Sequence, residues 1–524
     1  MKRREFLVRT SGAVSIPILL NGLPLKAFDG PVLHQLFGVD VPTDRVLVLI
    51  QLNGGNDGLN TVIPLDQYSL YATPRPNVAI PETKALKLTD TTALHPSMTG
   101  IQTLWNEKKV SIVQGVTYPN PNLSHFRSTD IMMSASDSNV NVTSGWLGRY
   151  LNGVFPNYPE GYPNASMPDP IAIQMSAVVT MTLLGLNQQG MGIALQDPES
   201  FYNLVNGTTA STDELPSALH ARENVLFVRE VQMKSLQYST VIKEAADKAT
   251  NLETYPTGNR LADQLKIVAR LIAGGLKTRV YLVQLGGFDT HSSQVDQADP
   301  TIGSHAVLLG QVSSAVTAFQ RDIEKLGAAN RVVSMTFSEF GRRVSANLSL
   351  GTDHGTAAPM FVFGIPVQDG IIGTTPNLRD LDKDNLKMQF DFRQVYASVL
   401  EQWFGADPTV IREVLFDEFT TVRVIRQSAT DVQDEIASTF SFSAVAPNPV
   451  RGDANFKYSV QTTENVQLTV FDNLGFHVAT VVNQERTAGM YTVPFGTSNL
   501  PSGTYLAQLK VGNERRTQTF VVVR

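Results

Sequence analysis

The sequence predicts an α/β protein with a doubly wound, mostly parallel sheet, followed by a small all-β sandwich. Two observations set the first part: continuous apolar, β-branched runs that read as strands buried on both faces, and apolar stripes at helical spacing between them. A third sets the tail. After about residue 430 the helical stripes stop, and short alternating runs separated by turn residues take over.

The first strand is "RVLVLIQL" (45–52), bounded by Asp44 and by Gly54-Gly55. A helix carrying Ile101, Leu104 and Trp105 leads to a second, "KVSIVQGV" (109–116). Leu261, Leu265, Val268, Ile272 and Leu276 form a stripe at spacings of three and four, and "RVYLVQL" (279–285) follows, ending in Gly286-Gly287. Leu308, Val312, Val316, Phe319, Ile323 and Leu326 form the next stripe; Gly327 stops it before the strand "RVVSMTF" (331–337). "DFRQVYASVLEQWFG" (391–405) is an amphipathic helix closed by Gly405. A polar linker at 427–445 joins this part to runs such as "VQLTVFD" (466–472), "TYLAQLKV" (504–511) and "TQTFVVVR" (517–524), the strands of the sandwich over 446–524.

Composition narrows the function. With 524 residues the chain is long for one domain, and 42% hydrophobic with 17% charged residues is ordinary for a globular protein. A net charge of -6 and the lack of any basic run beyond the N-terminus give no case for nucleic acid. With 0 cysteines, any metal must be held by the 8 His, by Asp and Glu, or by Asn, Ser and Thr. The start, "MKRREFLVRTSGAVSIPILLNGLPLKAF", places Arg3-Arg4 ahead of Phe6-Leu7. Residues 1–28 therefore read as a twin-arginine export signal, with a general secretory signal as the plainer alternative. Pro17, Asn21 and Pro24 break its apolar part, and no later run of about 18 apolar residues predicts a transmembrane segment in the mature protein.

Ligands of an open α/β sheet bind beyond the carboxyl ends of its strands. After 45–52 come Asn53, Asn56 and Asp57; after 109–116 come Ser124, His125 and Asp130. After 279–285 come Asp289 and His291, and after 331–337 come Glu339 and Arg342, then Asp353 and His354. Imidazoles and carboxylates converging from several strand ends suit a divalent cation: Zn2+, Mn2+, Mg2+ or Ca2+. Each residue also has a plainer role: Asp57 in an Asx-turn, Ser124 as a helix N-cap, Glu339 with Arg342 as an ion pair, Asp353-His354 as a turn. His34, His95, His220, His305 and His477 lack a strand-end context and read as structural or surface residues.

Six stretches carry a family resemblance: "LNGGNDGLNTVIP" (52–64), "NLSHFRSTDIM" (122–132), "GWLGRYL" (145–151), "GGFDTHSSQ" (286–294), "SEFGRRVSANLSLGTDHG" (338–355) and "DFRQVYASVLEQWFG" (391–405). With these, the region 43–426 resembles the exported bacterial family known as domain of unknown function fifteen-hundred-and-one, placed in the alkaline phosphatase and sulfatase superfamily. The resemblance implies an alkaline phosphatase-like sheet with a metal site at its carboxyl edge. One metal position falls on Asp289, His291 and His354. The other is altered, with Asp57, Ser124 and Glu339 there, Asn53 in place of a ligand Asp, and Phe340 in place of a ligand His. Ser124 resembles the nucleophile position. His354 takes the last His position, with Asp353 expected to orient it.

The tail, through "APNPVRGDANFKYSV", "VQLTVFDNLGFHVATV" and "LPSGTYLAQLKVG", resembles the C-terminal sorting domain of the type IX secretion system; a carbohydrate-binding appendage is the plainer alternative. The implied route runs by the twin-arginine translocase through the periplasm, then by the type IX machinery to the cell surface or outside. These readings combine into an exported, metal-dependent hydrolase of phosphate or sulfate esters. Ser124 or a metal-bound water is its nucleophile, Glu339 and Asp57 further ligands or base, and Arg342 the partner of an anionic ester or glycan substrate. The alternative is a surface binding or assembly protein that keeps the fold without turnover.

Overall fold

The structure, a computed structural model, describes residues 19–20, 23–24, 44–186, 188–206, 238–426, 440–442, 445–460, 462–472, 477–512 and 514–524. The expected signal (1–28) and linker (427–445) lie largely outside these residues. The chain divides into two compact units, one within Val39–Arg426 and one within Gln427–Arg524. No described helix is long and apolar enough to cross a membrane.

The first unit is built on a 9-stranded sheet. Its strands are β1 (Val46–Asn53), β2 (Val110–Thr117), β3 (Ala172–Met175), β4 (Ile193–Leu195), β5 (Val280–Gly286), β6 (Val332–Phe337), β7 (Ala358–Phe363) and β8 (Gly370–Ile372), with Phe390–Asp391 beside β2. The spatial order is β8-β2-β7-β6-β1-β5-β3-β4. All described pairings are parallel except those of β7, which runs antiparallel to both β6 and β2.

Side chains alternate along β1. Val46, Val48, Ile50 and Leu52 join the core formed with α1 (Thr99–Asn106), α3 (Arg260–Ala273) and α4 (Ser304–Lys325), while Leu47 and Leu49, equally buried, face the other way. Burial on both faces is why β1 reads as an unbroken apolar run. Asn259 caps α3 by accepting from the Leu261 and Ala262 N–H groups. The helix expected at 391–405 starts with a capping box at Asp391 (Phe392–Ser398) and widens into a π-helical turn, Val399–Trp403. The short strands β3 and β4 carry no alternation or length that the sequence reading detects.

Register fixes the business end. Gly286 of β5 lies opposite Asn53 of β1, and Phe337 of β6 opposite Gln51, so three strands end together. Because β7 is reversed, its first residue lies at that same edge, and the residues just before it arrive there too.

The described strands of the second unit pair antiparallel, and one isolated parallel bridge joins Val450 to Val522. Phe440–Phe442, Asp453–Val460 and Gly489–Gly496 make one sheet; Glu464–Asp472, His477–Arg486, Gly503–Val511 and Glu514–Val522 make the other. Phe456 and Val460 from the first pack with Leu468, Leu509 and Phe520 from the second, the shared core of a sandwich.

Candidate metal centre

Four segments meet at the carboxyl edge: the start of α2 (His125–Ser134), the loop after β5, the turn after β6, and the hairpin Arg342–Ala346/Thr352–His354 that leads into β7. The backbones come unusually close. Gly54 sits at φ +128°, and a Cβ there would lie 2.2 Å from the backbone nitrogen of Asp289, so only glycine fits.

Three imidazoles point their Nε2 atoms at one carboxylate oxygen. Asp289 Oδ1 lies 3.4 Å from His125 Nε2, 3.3 Å from His291 Nε2 and 3.5 Å from His354 Nε2. Each ring is held from behind by an oxygen. His125 Nδ1 meets the Glu339 carboxylate at 2.8 Å, His291 Nδ1 meets Asp353 at 3.2 Å, and His354 Nδ1 meets the Leu123 carbonyl at 2.7 Å. A carbonyl or carboxylate oxygen only accepts, so each Nδ1 carries the hydrogen and each Nε2 keeps its lone pair. This backing is the arrangement that orients metal-binding histidines.

The donor set fits a cation. His125 Nε2 is buried without a hydrogen-bond partner. His291 Nε2 and His354 Nε2 stand 2.7 Å apart, and two bare imidazole nitrogens at that distance require a cation or a shared proton between them. His125, Asp289 and His354 offer ligand atoms all within 4.8 Å of one another. Burial lowers the pKa of His354, against the pull of the Leu123 carbonyl, keeping the ring neutral and its lone pair free. Burial alone would raise the Asp289 carboxyl; the hydrogen bond and charge of Arg342 outweigh it and hold the group below the usual carboxylate range. The Asn347 hydrogen bond does the same for Asp353.

Three expectations are corrected by these contacts. Asp353 orients His291 rather than His354, whose Nδ1 is taken by a backbone carbonyl. Arg342 is not available to a substrate anion: it is buried, and its guanidinium donates to the carbonyls of Gly54, Gly55, Phe288 and Thr352 and to Asp289 at 2.7 Å. Asp57 lies in a separate buried network, paired with Arg75 at 2.7 Å, accepting from Gln294 at 2.6 Å and capping the Asn60 N–H. Burial raises its pKa, but Arg75 brings the net shift below the ordinary value. Glu339, also buried, backs His125 and accepts from the Gly54 N–H at 2.9 Å. Ser124 is the exposed N-cap of α2, and its hydroxyl makes no capping bond. Phe340 packs on His125 and His354 with ring centroids 4.9 and 4.6 Å away.

Sequence reasoning missed the backbone partners, Leu123 and the Gly54 N–H, which leave no side-chain signature. His95 and His305, read as structural or surface residues, are both buried, with His305 Nε2 donating to Asn56 Oδ1 at 2.9 Å. Burial drops His95 to about 3 and His305 to about 4. The unfolded chain takes up protons at these rings below about pH 6.5 while the folded chain does not, so stability falls as pH drops from 6.5 towards 4. Each ring contributes about 1.4 kcal/mol per pH unit over that window. Thermal melts at pH 7.5, 6 and 5 are expected to show a steady fall, reduced in His305→Gln; a flat profile would refute this origin.

Comparison with known proteins agrees with the two-part organisation. The family described as Protein of unknown function (DUF1501) matches residues 44–415, and the Secretion system C-terminal sorting domain matches residues 444–523. That tail implies export to the cell surface or outside by the type IX machinery. No curated protein matches the chain. Among solved structures, Ps i-CgsB in complex with k-i-k-neocarrahexaose aligns at 11% identity over 80% of this chain and 84% of its own, TM-score 0.36. A protein in the alkaline phosphatase superfamily from Vibrio parahaemolyticus aligns at 10% identity over 88% and 86%, TM-score 0.30. Alkaline phosphatase from the Antarctic bacterium TAB5 aligns at 9% identity over 63% and 94%, TM-score 0.25.

Proposed function

The chain belongs to the family described as Protein of unknown function (DUF1501), and from that premise we propose that it is an exported, metal-dependent hydrolase of phosphate or sulfate esters. The observation that carries the reading is the convergence of three Nδ1-backed histidines on Asp289. Nitrogen-rich ligands with one carboxylate suit Zn2+ better than Mg2+ or Ca2+. A single ion is favoured, because Glu339 and Asp57, the other expected carboxylate ligands, are engaged within the fold. When bound, the ion supplies Lewis-acid polarisation of an ester oxygen and a more acidic bound water.

The residues of the chain do the rest. Asp289, Glu339 and Asp353 against Arg342 leave the cluster negative, so an anionic ester is repelled unless a dication offsets that charge. Ser124, exposed between Leu123 and His125 at the start of α2, or a metal-bound water would act as nucleophile, a role that the position of Ser124 next to His125 supports. The second reading, a surface binding or assembly protein that keeps the fold without turnover, is favoured by one observation: Arg342 already neutralises the Asp289 oxygen that an ion would use.

Metal content of the purified mature protein, with a panel of phosphate and sulfate esters, tests both. The enzyme reading expects about one Zn2+ per chain, hydrolysis of at least one ester, and loss of both in Asp289→Ala. No turnover across the panel, with or without bound metal, leaves the binding or assembly reading and removes the enzyme. For the export route we propose passage by the twin-arginine translocase into the periplasm. Arg3→Lys with Arg4→Lys is then expected to leave precursor in the cytoplasm on fractionation, whereas continued export identifies a general secretory signal.

A further inference from the structure

Glu339 is 1% exposed, and its two oxygens are treated unequally. Oε1 accepts from the Gly54 N–H at 2.9 Å and from His125 Nδ1 at 2.8 Å. Oε2 has Ser338 Oγ at 3.3 Å, but the one hydrogen of that hydroxyl is engaged by the Leu52 carbonyl at 2.7 Å. A buried carboxylate oxygen without a donor keeps the full cost of its lost hydration. A cavity of about 20 Å³ lies against Glu339, lined also by Thr117, Tyr118, Met132, Phe340 and Met360. Thr117 is 6% exposed, and its buried Oγ1 has no hydrogen-bond partner.

We propose that this cavity binds one ordered water, which donates to Glu339 Oε2 and accepts from the Thr117 hydroxyl. The space admits a single water, and two polar partners are the minimum such a molecule needs. The other side-chain oxygens that line it, those of Tyr118, Ser338 and Thr356, already bond to backbone carbonyls, which leaves too few for a sodium or magnesium ion. Thr117, at the end of β2, is thereby a positioning residue: through the water it fixes the free oxygen of Glu339, which fixes the Nδ1–H of His125 and aims its Nε2. The inference deepens the metal-centre reading, yet its readouts are taken on metal-free protein, so each can fail alone.

Thr117→Val keeps the β-branched shape and removes the hydroxyl. With a bridging water, the variant strands a water partner and melts a few degrees lower, roughly the shift that a lost buried hydrogen bond produces. In a dry cavity the same change removes an unpartnered buried hydroxyl, and the melting temperature stays level or rises. The sign decides. Thr117→Ser restores the wild-type melt and the wild-type His125 Nδ1–H resonance in 15N-edited spectra, which Thr117→Val displaces. A crystal structure of the metal-free mature chain at about 1.5 Å or better is expected to show one water within hydrogen-bond reach of both oxygens; an empty cavity, or a cation with short oxygen distances, overturns the proposal.

Discussion

Arg75→Ala is expected to destabilise the first unit by about 3–5 kcal/mol, the cost typical of removing one partner from a buried ion pair. Arg75 and Asp57 are both fully buried. The guanidinium reaches Asp57 at 2.7 Å, Asn60 Oδ1 at 2.9 Å, and the Val344 and Arg343 carbonyls at 2.6 Å each, tying the turn after β1 to the hairpin before β7. The truncation leaves a buried carboxylate with two neutral donors and takes a donor from the Val344 and Arg343 carbonyls. Urea unfolding monitored by tryptophan fluorescence measures the loss, and Asp57→Asn combined with Arg75→Met is expected to recover part of it. Equal loss in the single and double variants would mean that the side-chain volume, not the charge pair, matters.

The damage should spread to the metal centre. Asp57 holds Gln294, and Gln294 Oε1 accepts from Thr290 at 3.0 Å and Thr352 at 2.7 Å, residues beside His291 and Asp353. A folded Arg75 variant at low temperature is therefore expected to bind Zn2+ more weakly than wild type.

His354→Ala is expected to reduce Zn2+ affinity by at least about 100-fold, since it removes a ligand and leaves three remaining donors. Asp353→Asn keeps every ligand but weakens the acceptor behind His291, and about a 10- to 100-fold loss is expected. Competition titration against a chromophoric chelator gives both numbers. The order is the informative part: a larger loss in Asp353→Asn than in His354→Ala would place the carboxylate, not the ring, on the metal. Because Asn347 also donates to Asp353, at 3.0 Å, Asn347→Ala should fall between wild type and Asp353→Asn.

Much of this organisation is written in the sequence. The runs ending at Leu52, Leu285 and Phe337 declare strands buried on both faces, and Asp289, His291 and Glu339 follow the last two. What the sequence does not declare is which partner each group takes. Asp353 and His354 are adjacent, so the carboxylate reads as the natural partner of its neighbour. The Nδ1 of His354 is instead taken by the Leu123 carbonyl, and Asp353 meets the Nδ1 of His291. Arg342 reads as a substrate anchor because its alternative partners are backbone carbonyls, which have no letter of their own. The same limit hides Leu123.

The reversal of β7 has a consequence for how the centre comes together in time. Glu339 and His354 lie on the single connection between β6 and β7, an antiparallel pair made by nearby stretches of chain, such as Ser334 with Phe363. Asp289 and His291 follow β5, which meets β1 only after a long intervening stretch has been closed into a loop. Local pairings form fast and distant ones slowly, so Glu339 and His354 are brought to the sheet edge before Asp289 and His291 join them. Capture of the proposed ion would then reward only the chain whose whole sheet has closed.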